Sequence, residues 1–296
     1  MSVQTASPEA TDLQPRKPTP AAIESSSPVS GIGAPRHGLA GRIVAPLLVL
    51  AAVLALWSLA SHVLLDPDRR FLLPPPEDVL RTGLLDRANL AELLAALWST
   101  IRVALAGLGV AMFLGVALAV VMSQARWVEY SLYPYAIVLQ TIPILAVVPL
   151  LGFWFGFDFL SRVIVCVLVS LFPMITNTLF GLKSAEAGHH DLFTLYGASR
   201  WQRLWRLQLP AALPAMITGF KISSGLAVIG AIVADFFFRQ GEPGIGRLID
   251  VYRQRLQTEQ LMTALLLSSL VGLALFFSFD LWGSHVDKLR RAKRSP

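Results

Sequence analysis

Six stretches of roughly twenty predominantly apolar residues constrain this chain more than any other feature. They lie at about 43–65, 97–122, 130–151, 159–181, 214–236 and 261–283. A helix rises about 1.5 Å per residue, so each stretch is long enough to cross a hydrocarbon core of about 30 Å. The expected fold class is therefore all-α, a polytopic membrane protein with about six transmembrane helices. Composition agrees: 54 % of the 296 residues are hydrophobic and only 15 % are charged, which excludes an ordinary soluble domain.

What surrounds the spans sets the topology. Residues 1–40 are rich in Pro, Ser, Thr and Ala without hydrophobic periodicity, and are expected to form a disordered tail, because they cannot bury enough apolar surface to offset ordering. The first apolar run starts too late, and is too long, for a signal peptide. Residues 41–296 are expected to form one transmembrane domain. The net charge of +6 does not point to nucleic acid, because the basic residues fall in short clusters between apolar runs. More than half of the 25 Lys and Arg lie in the tail, the 123–129 loop, the 182–213 loop and the C-terminal "DKLRRAKRSP", which predicts both termini in the cytoplasm. The third and fourth spans are separated by "GFWFGFD" (152–158), expected to be a tight interfacial turn closing a hairpin.

Within the longest internal loop, "YGASRWQRLWRLQLPAALPAMITGF" interrupts the apolar pattern. At 100° per residue Trp201, Leu204 and Trp205 share one side of a helix, and Arg200, Arg203 and Arg206 the other. Gly197 suits a sharp turn after a preceding helix, and Ser199 suits an N-cap. Pro210 is expected to end the short helix, with Pro214 at the start of the fifth span. The whole reads as a rigid elbow whose Trp201, Leu204 and Trp205 pack it in place, although an interfacial helix lying flat on membrane lipid fits the same periodicity.

Several ionisable residues and prolines fall in or near spans, where they are expensive and default to functional hypotheses. Lys221 stands about 10 Å into the fifth span and is expected to snorkel to the surface rather than face a wet cavity. Asp235, fourteen residues on, is too far along the helix to pair with it and is expected to have a structural or gating role. Arg102 and Asp280 are read as interfacial. Pro143 and Pro149 free backbone carbonyls in the third span, tolerable beside a pore, although a simple kink explains them equally well. These four, Pro143, Pro149, Lys221 and Asp235, are the pore or gating candidates. Cys166 is the single cysteine and forms no intrachain disulfide. The five histidines lack zinc-site spacing, since His189 and His190 are adjacent and point different ways. No phosphate loop of the form G-x-x-x-x-G-K-[ST] is present, so ATP hydrolysis by this chain is not expected. The glycines of "GEPGIG" (241–246) read instead as a turn after the fifth span. No catalytic constellation, cofactor or metal site is expected.

The interrupted loop resembles the cytoplasmic EAA loop of inner-membrane permease subunits of binding-protein-dependent ABC importers. The centre of that pattern is a glycine followed, a little over ten residues on, by a proline, matched by Gly197 and Pro210. "QTIPILAVVPLLGFWFG" (140–156), "FPMITNTLFGLKS" (172–184) and "GEPGIGRLID" (241–250) are similar to the nitrate, sulfonate, taurine and pyrimidine-precursor import branch. The Glu-Ala-Ala that names the loop is replaced by "DLF", so that Asp191 keeps an acid but both small residues are lost. The resemblance implies a type I importer permease architecture with a coupling loop at about 184–213, in which Asp191, Gly197, Ala198, Ser199, Trp201, Leu204, Trp205, Pro210 and Pro214 meet an ATP-hydrolysing subunit. It also implies a second copy of the permease, cytoplasmic ATP-binding subunits, an extracytoplasmic solute-binding protein and a multi-pass inner-membrane location. The substrate it implies is a small anionic or heterocyclic nutrient such as nitrate, a sulfonate, taurine, a thiamine precursor or riboflavin, with "DFFFRQGEPGIG" (235–246) leaning to the heterocyclic end. The rival classes are a proton-coupled secondary carrier, which needs acids in mid-membrane, and an integral membrane enzyme, which needs polar catalytic groups gathered at one membrane face.

Overall fold

The computed structural model describes residues 39–238 and 240–292, so the expected disordered tail lies almost wholly outside the described residues. The chain divides into two units, residues 1–51 and 52–296. In the first, the described residues belong to the start of helix α1 (Leu39–Leu59).

The second unit is built of helices joined by short turns, with no strand among its described residues. Near the end of α1, Trp57 Nε1 donates to the Pro74 carbonyl (3.0 Å), and just past it Ser61 Oγ donates to that of Leu73 (2.7 Å), fixing the turn into the short helix α2 (Pro76–Leu80). Helix α3 (Arg87–Gln124) opens on an N-cap in which Asp86 accepts from the Ala88 N–H (2.9 Å). Its 38 residues are about 57 Å of helix, so it must overshoot a hydrocarbon core of about 30 Å. The sequence-based bounds of 97–122 therefore cover only its apolar centre.

The expected third span is not one helix. Helix α4 (Arg126–Thr141) and helix α5 (Ile144–Phe155) meet at a 99° bend. Pro143 is the cause: it has no N–H to continue α4, and it restrains the residue before it to extended backbone, so Ile142 stands at ψ 126°. Pro149 lies inside α5 without breaking it. Among the described residues five helices are long and apolar enough to cross a membrane, or six spans if the bent pair is counted as one. Beyond α5, the interfacial turn is confined to Gly156–Asp158, with Gly156 at φ +87°, and Phe157 packs edge-on against Phe153 and Phe238.

Helix α6 (Phe159–Lys183) is the centre of the fold, packed most extensively on α9 (Leu209–Phe237) and next on α3. Small residues permit that approach. A Cβ on Gly107 of α3 would collide with Cys166, one on Gly115 with Met174, and one on Gly230 of α9 would stand 3.0 Å from the Cys166 backbone. Lipid gives little hydrophobic drive between helices, so such close backbone packing must supply the attraction. Cys166 is fully buried there, as its setting in an apolar run predicts. After α9 come the amphipathic α10 (Ile245–Gln254) and the long α11 (Thr258–Ala292). Ile245, Leu248, Ile249 and Tyr252 of α10 pack with Leu93, Ala96 and Leu97 of α3 and Ala264 of α11. Large apolar side chains such as Phe113, Phe180 and Leu273 remain exposed around the bundle, as a lipid-facing surface requires.

Candidate functional site

Between α6 and α9 the chain forms helix α7 (Ala187–Leu195) and the single turn α8 (Arg200–Arg203). Gly197 stands at φ +64°. Its N–H donates to the Thr194 carbonyl (3.0 Å) and that of Ala198 to Phe193 (2.9 Å), the paired bonds of a Schellman stop with glycine in the left-handed position. Two residues later Ser199 begins the next helix. Its hydroxyl accepts from the Gln202 N–H (3.3 Å) while Gln202 Oε1 accepts from the Ser199 N–H (2.8 Å), a complete capping box. Arg203 then reaches back to Thr194 Oγ1 (2.9 Å), tying α7 to α8. The glycine and the cap stand where the residues predict them.

Two expectations about this loop are corrected. Pro210 does not end a helix. Leu204–Gln208 form a π turn in which the Leu209 N–H donates to the Leu204 carbonyl, so the extra residue absorbs the missing donor of Pro210 and the helix continues. Arg200–Phe237 is one continuous helix of 38 residues, with Pro214 inside it. Nor do all three of Trp201, Leu204 and Trp205 pack the loop in place. Leu204 is buried against the core that includes Leu179, Leu182 and Ala212, but Trp201 and Trp205 are 68 % and 64 % exposed. Leu192, Leu195 and Tyr196 are exposed as well, so the loop carries several large apolar side chains that nothing among the described residues covers. Ala198 is half-buried. Asp191 lines a cavity of about 740 Å³ with Arg126, Glu129, Lys183 and His190, and the Lys183–Glu129 ion pair joins α6 to α4 there.

The charged residues within the spans are paired. Lys221 Nζ of α9 bonds Asp280 Oδ1 of α11, so both residues, read from the sequence as surface-directed, also have a specific partner on the facing helix. A partner on the facing helix satisfies the ammonium at lower cost than stretching to the surface. Asp235, fully buried, accepts from Thr100 Oγ1 of α3 (2.6 Å) and from Arg162 Nη1 of α6 (3.3 Å). Arg102 likewise has a specific partner, Glu242, in the segment after α9. Arg162 and Thr100 were not singled out in the sequence. The available signal was a lone arginine at the head of "RVIVCVLVSLF" together with an acid in another span. Pro143 stands exposed at the α4–α5 break and Pro149 half-buried in α5. Among the described residues no group of His, Cys, Asp and Glu is placed to hold a metal ion.

Residues 111–292 match the family model described as the binding-protein-dependent transport system inner membrane component. The chain is 35 % identical over 194 residues to the formylaminopyrimidine transport permease protein ThiX of Halalkalibacterium halodurans, covering 64 % of this chain and 74 % of that one. It is 31 % identical to a probable ABC transporter permease protein of Haemophilus influenzae, covering 82 % of this chain and 96 % of that one. It is 32 % identical to the putative aliphatic sulfonates transport permease protein SsuC of Escherichia coli, covering 77 % and 85 %. The matched region takes in the bent α4–α5 pair, the capped loop and the α9–α11 ion pair, and this chain belongs to the family of inner-membrane permease components of binding-protein-dependent ABC importers.

Proposed function

We propose that this permease works as one of two identical pore-forming copies, with both termini in the cytoplasm. Separate ATP-binding subunits dock on the α7–α8 loop, and a solute-binding protein delivers a small nutrient at the opposite end of the bundle. The observation that carries the reading is the form of the loop. An exposed apolar surface of Leu192, Leu195, Tyr196, Trp201 and Trp205 is set by a capped turn and joined without a break to the fifth span. Apolar residues at a loop tip cost solvation unless a partner covers them, and aromatic residues suit an interface core. An unbroken helix from Arg200 to Phe237 transmits a displacement of that tip into the membrane more directly than the expected elbow. The substrate proposed is a small anionic or heterocyclic nutrient, with the similarity to a formylaminopyrimidine permease favouring the heterocyclic side.

The test is replacement of Gly197 by glutamate, which combines backbone strain at φ +64° with a charge on the docking face. The variant is expected to insert normally, because the loop lies outside the hydrocarbon. It should lose co-purification of the ATP-binding subunit and substrate-stimulated ATP hydrolysis in the reconstituted complex. Wild-type levels of both would leave the loop as an interfacial helix only. A periplasm-dependent reporter fused after Pro296 is expected to be silent, and binding assays on the cognate solute-binding protein decide the substrate.

A further inference from the structure

At the end of the bundle opposite α7 and α8, the buried charges do more than join helices. Arg162 Nη2 donates to the Gln240 carbonyl (2.8 Å) and to the Glu242 carbonyl (3.0 Å), while its Nη1 reaches Asp235. Thr100 donates to Asp235 and accepts from the Ile245 N–H (2.8 Å). Gly244 and Gly246 lie so close to Asp235 that a Cβ on either would collide with it. Three spans therefore direct their polar groups at the backbone of one short segment, 240–246. A tether between helices needs only the Asp235 contacts. Bonds to successive main-chain groups fix the shape of a loop.

On that fixed backbone Gly241, Glu242 and Pro243 stand exposed. Glu242 is held a second time by Arg102 from α3, beside an open cavity of about 300 Å³ lined by Ser99, Arg102, Asp158 and Arg162 among others. Holding an exposed loop rigid before it meets a partner lowers the ordering cost of binding. We propose that Arg162 is a positioning residue that pre-shapes the 240–244 segment as a contact for the solute-binding protein. The proposal rests on the reading above for which end faces outward, and its test separates the two.

Arg162→Lys keeps a charge for Asp235 but cannot span two carbonyls and a carboxylate at once, since lysine is a point donor where arginine is a planar fork. In the reconstituted complex, the concentration of substrate-loaded binding protein giving half-maximal stimulation of ATP hydrolysis is expected to rise about tenfold or more, with co-purification of the ATP-binding subunit retained. A purely structural role would lower the amount of folded complex without moving that concentration. Should Arg162→Lys insert poorly, the Arg162→Met, Asp235→Leu pair removes the buried charges together and is expected to give the same shift. Pro243→Cys, in a chain whose single natural cysteine is buried, reports orientation through an impermeant maleimide on intact cells. Labelling from outside with an unshifted stimulation curve overturns the positioning role. Labelling only in inverted vesicles overturns the topology on which it rests.

Discussion

The two ends of the bundle are held by different kinds of bond. At the α7–α8 end the bonds made within the loop itself join residues no more than nine positions apart, the longest being Arg203 to Thr194, while the Lys183–Glu129 ion pair stands behind it at the foot of α6. At the α10 end the bonds that Arg162 and Thr100 make to Asp235 and the segment after it span from 73 positions, Arg162 to Asp235, to 145, Thr100 to Ile245. One end is shaped by local backbone chemistry and leaves its apolar side chains exposed. The other is shaped by buried charges brought together only by the packing of α3, α6 and α9. The first can lose a bond and fray locally. The second cannot lose a partner without leaving a charge in the interior.

The largest effect is therefore expected at the buried end. Asp235→Asn or Arg162→Met removes one member of a pair whose side chains are 0 % and 4 % exposed, and is expected to cost about 3–5 kcal/mol. Thermal unfolding in detergent, followed by size-exclusion profile, measures it. The Arg162→Met, Asp235→Leu double variant is expected to recover most of the loss, and a double variant no better than either single would mean that packing, not charge, sets the cost.

At the local end, Gly197→Ala is expected to cost about 1–2 kcal/mol through its left-handed backbone alone, because nothing lies within 4 Å of where the Cβ would stand. Faster hydrogen exchange at the Ala198 N–H is the readout, and Gly197→Asn is expected to restore much of the protection. Equal protection in all three chains would contradict the assigned stop. A smaller change, about 1 kcal/mol, is expected from Ser199→Ala, seen at the Gln202 amide and absent from the α10 end. If exchange at Ile245 changes as well, the two ends are not independent.

The smallest effect on stability, and the most telling for function, belongs to Trp201→Ala and Trp205→Ala. Both side chains are largely exposed, so stability is expected to change by no more than about 0.5 kcal/mol, while co-purification of the ATP-binding subunit falls. Retained co-purification with both tryptophans removed would move the docking surface to Leu192, Leu195 and Tyr196.

The sequence by itself determined the helical class, the positions of the spans to within a few residues at most ends, and the cap and stop of the α7–α8 loop. Each depends on what a residue does within one helical turn: a run of apolar side chains must be satisfied in lipid, a glycine takes a positive φ, and a serine caps the amide three places on. Tertiary structure alone decided which charges meet. Arg162 and Asp235, like Lys221 and Asp280, are separated by tens of residues, and no periodicity relates them. It also decided that Pro143 turns the third span by 99°, whereas the π turn at Leu204–Gln208 carries the fifth helix past Pro210 unbroken. A proline reports a missing donor. Whether the chain bends around that gap or shifts its hydrogen bonds by one residue depends on the neighbours packed against it.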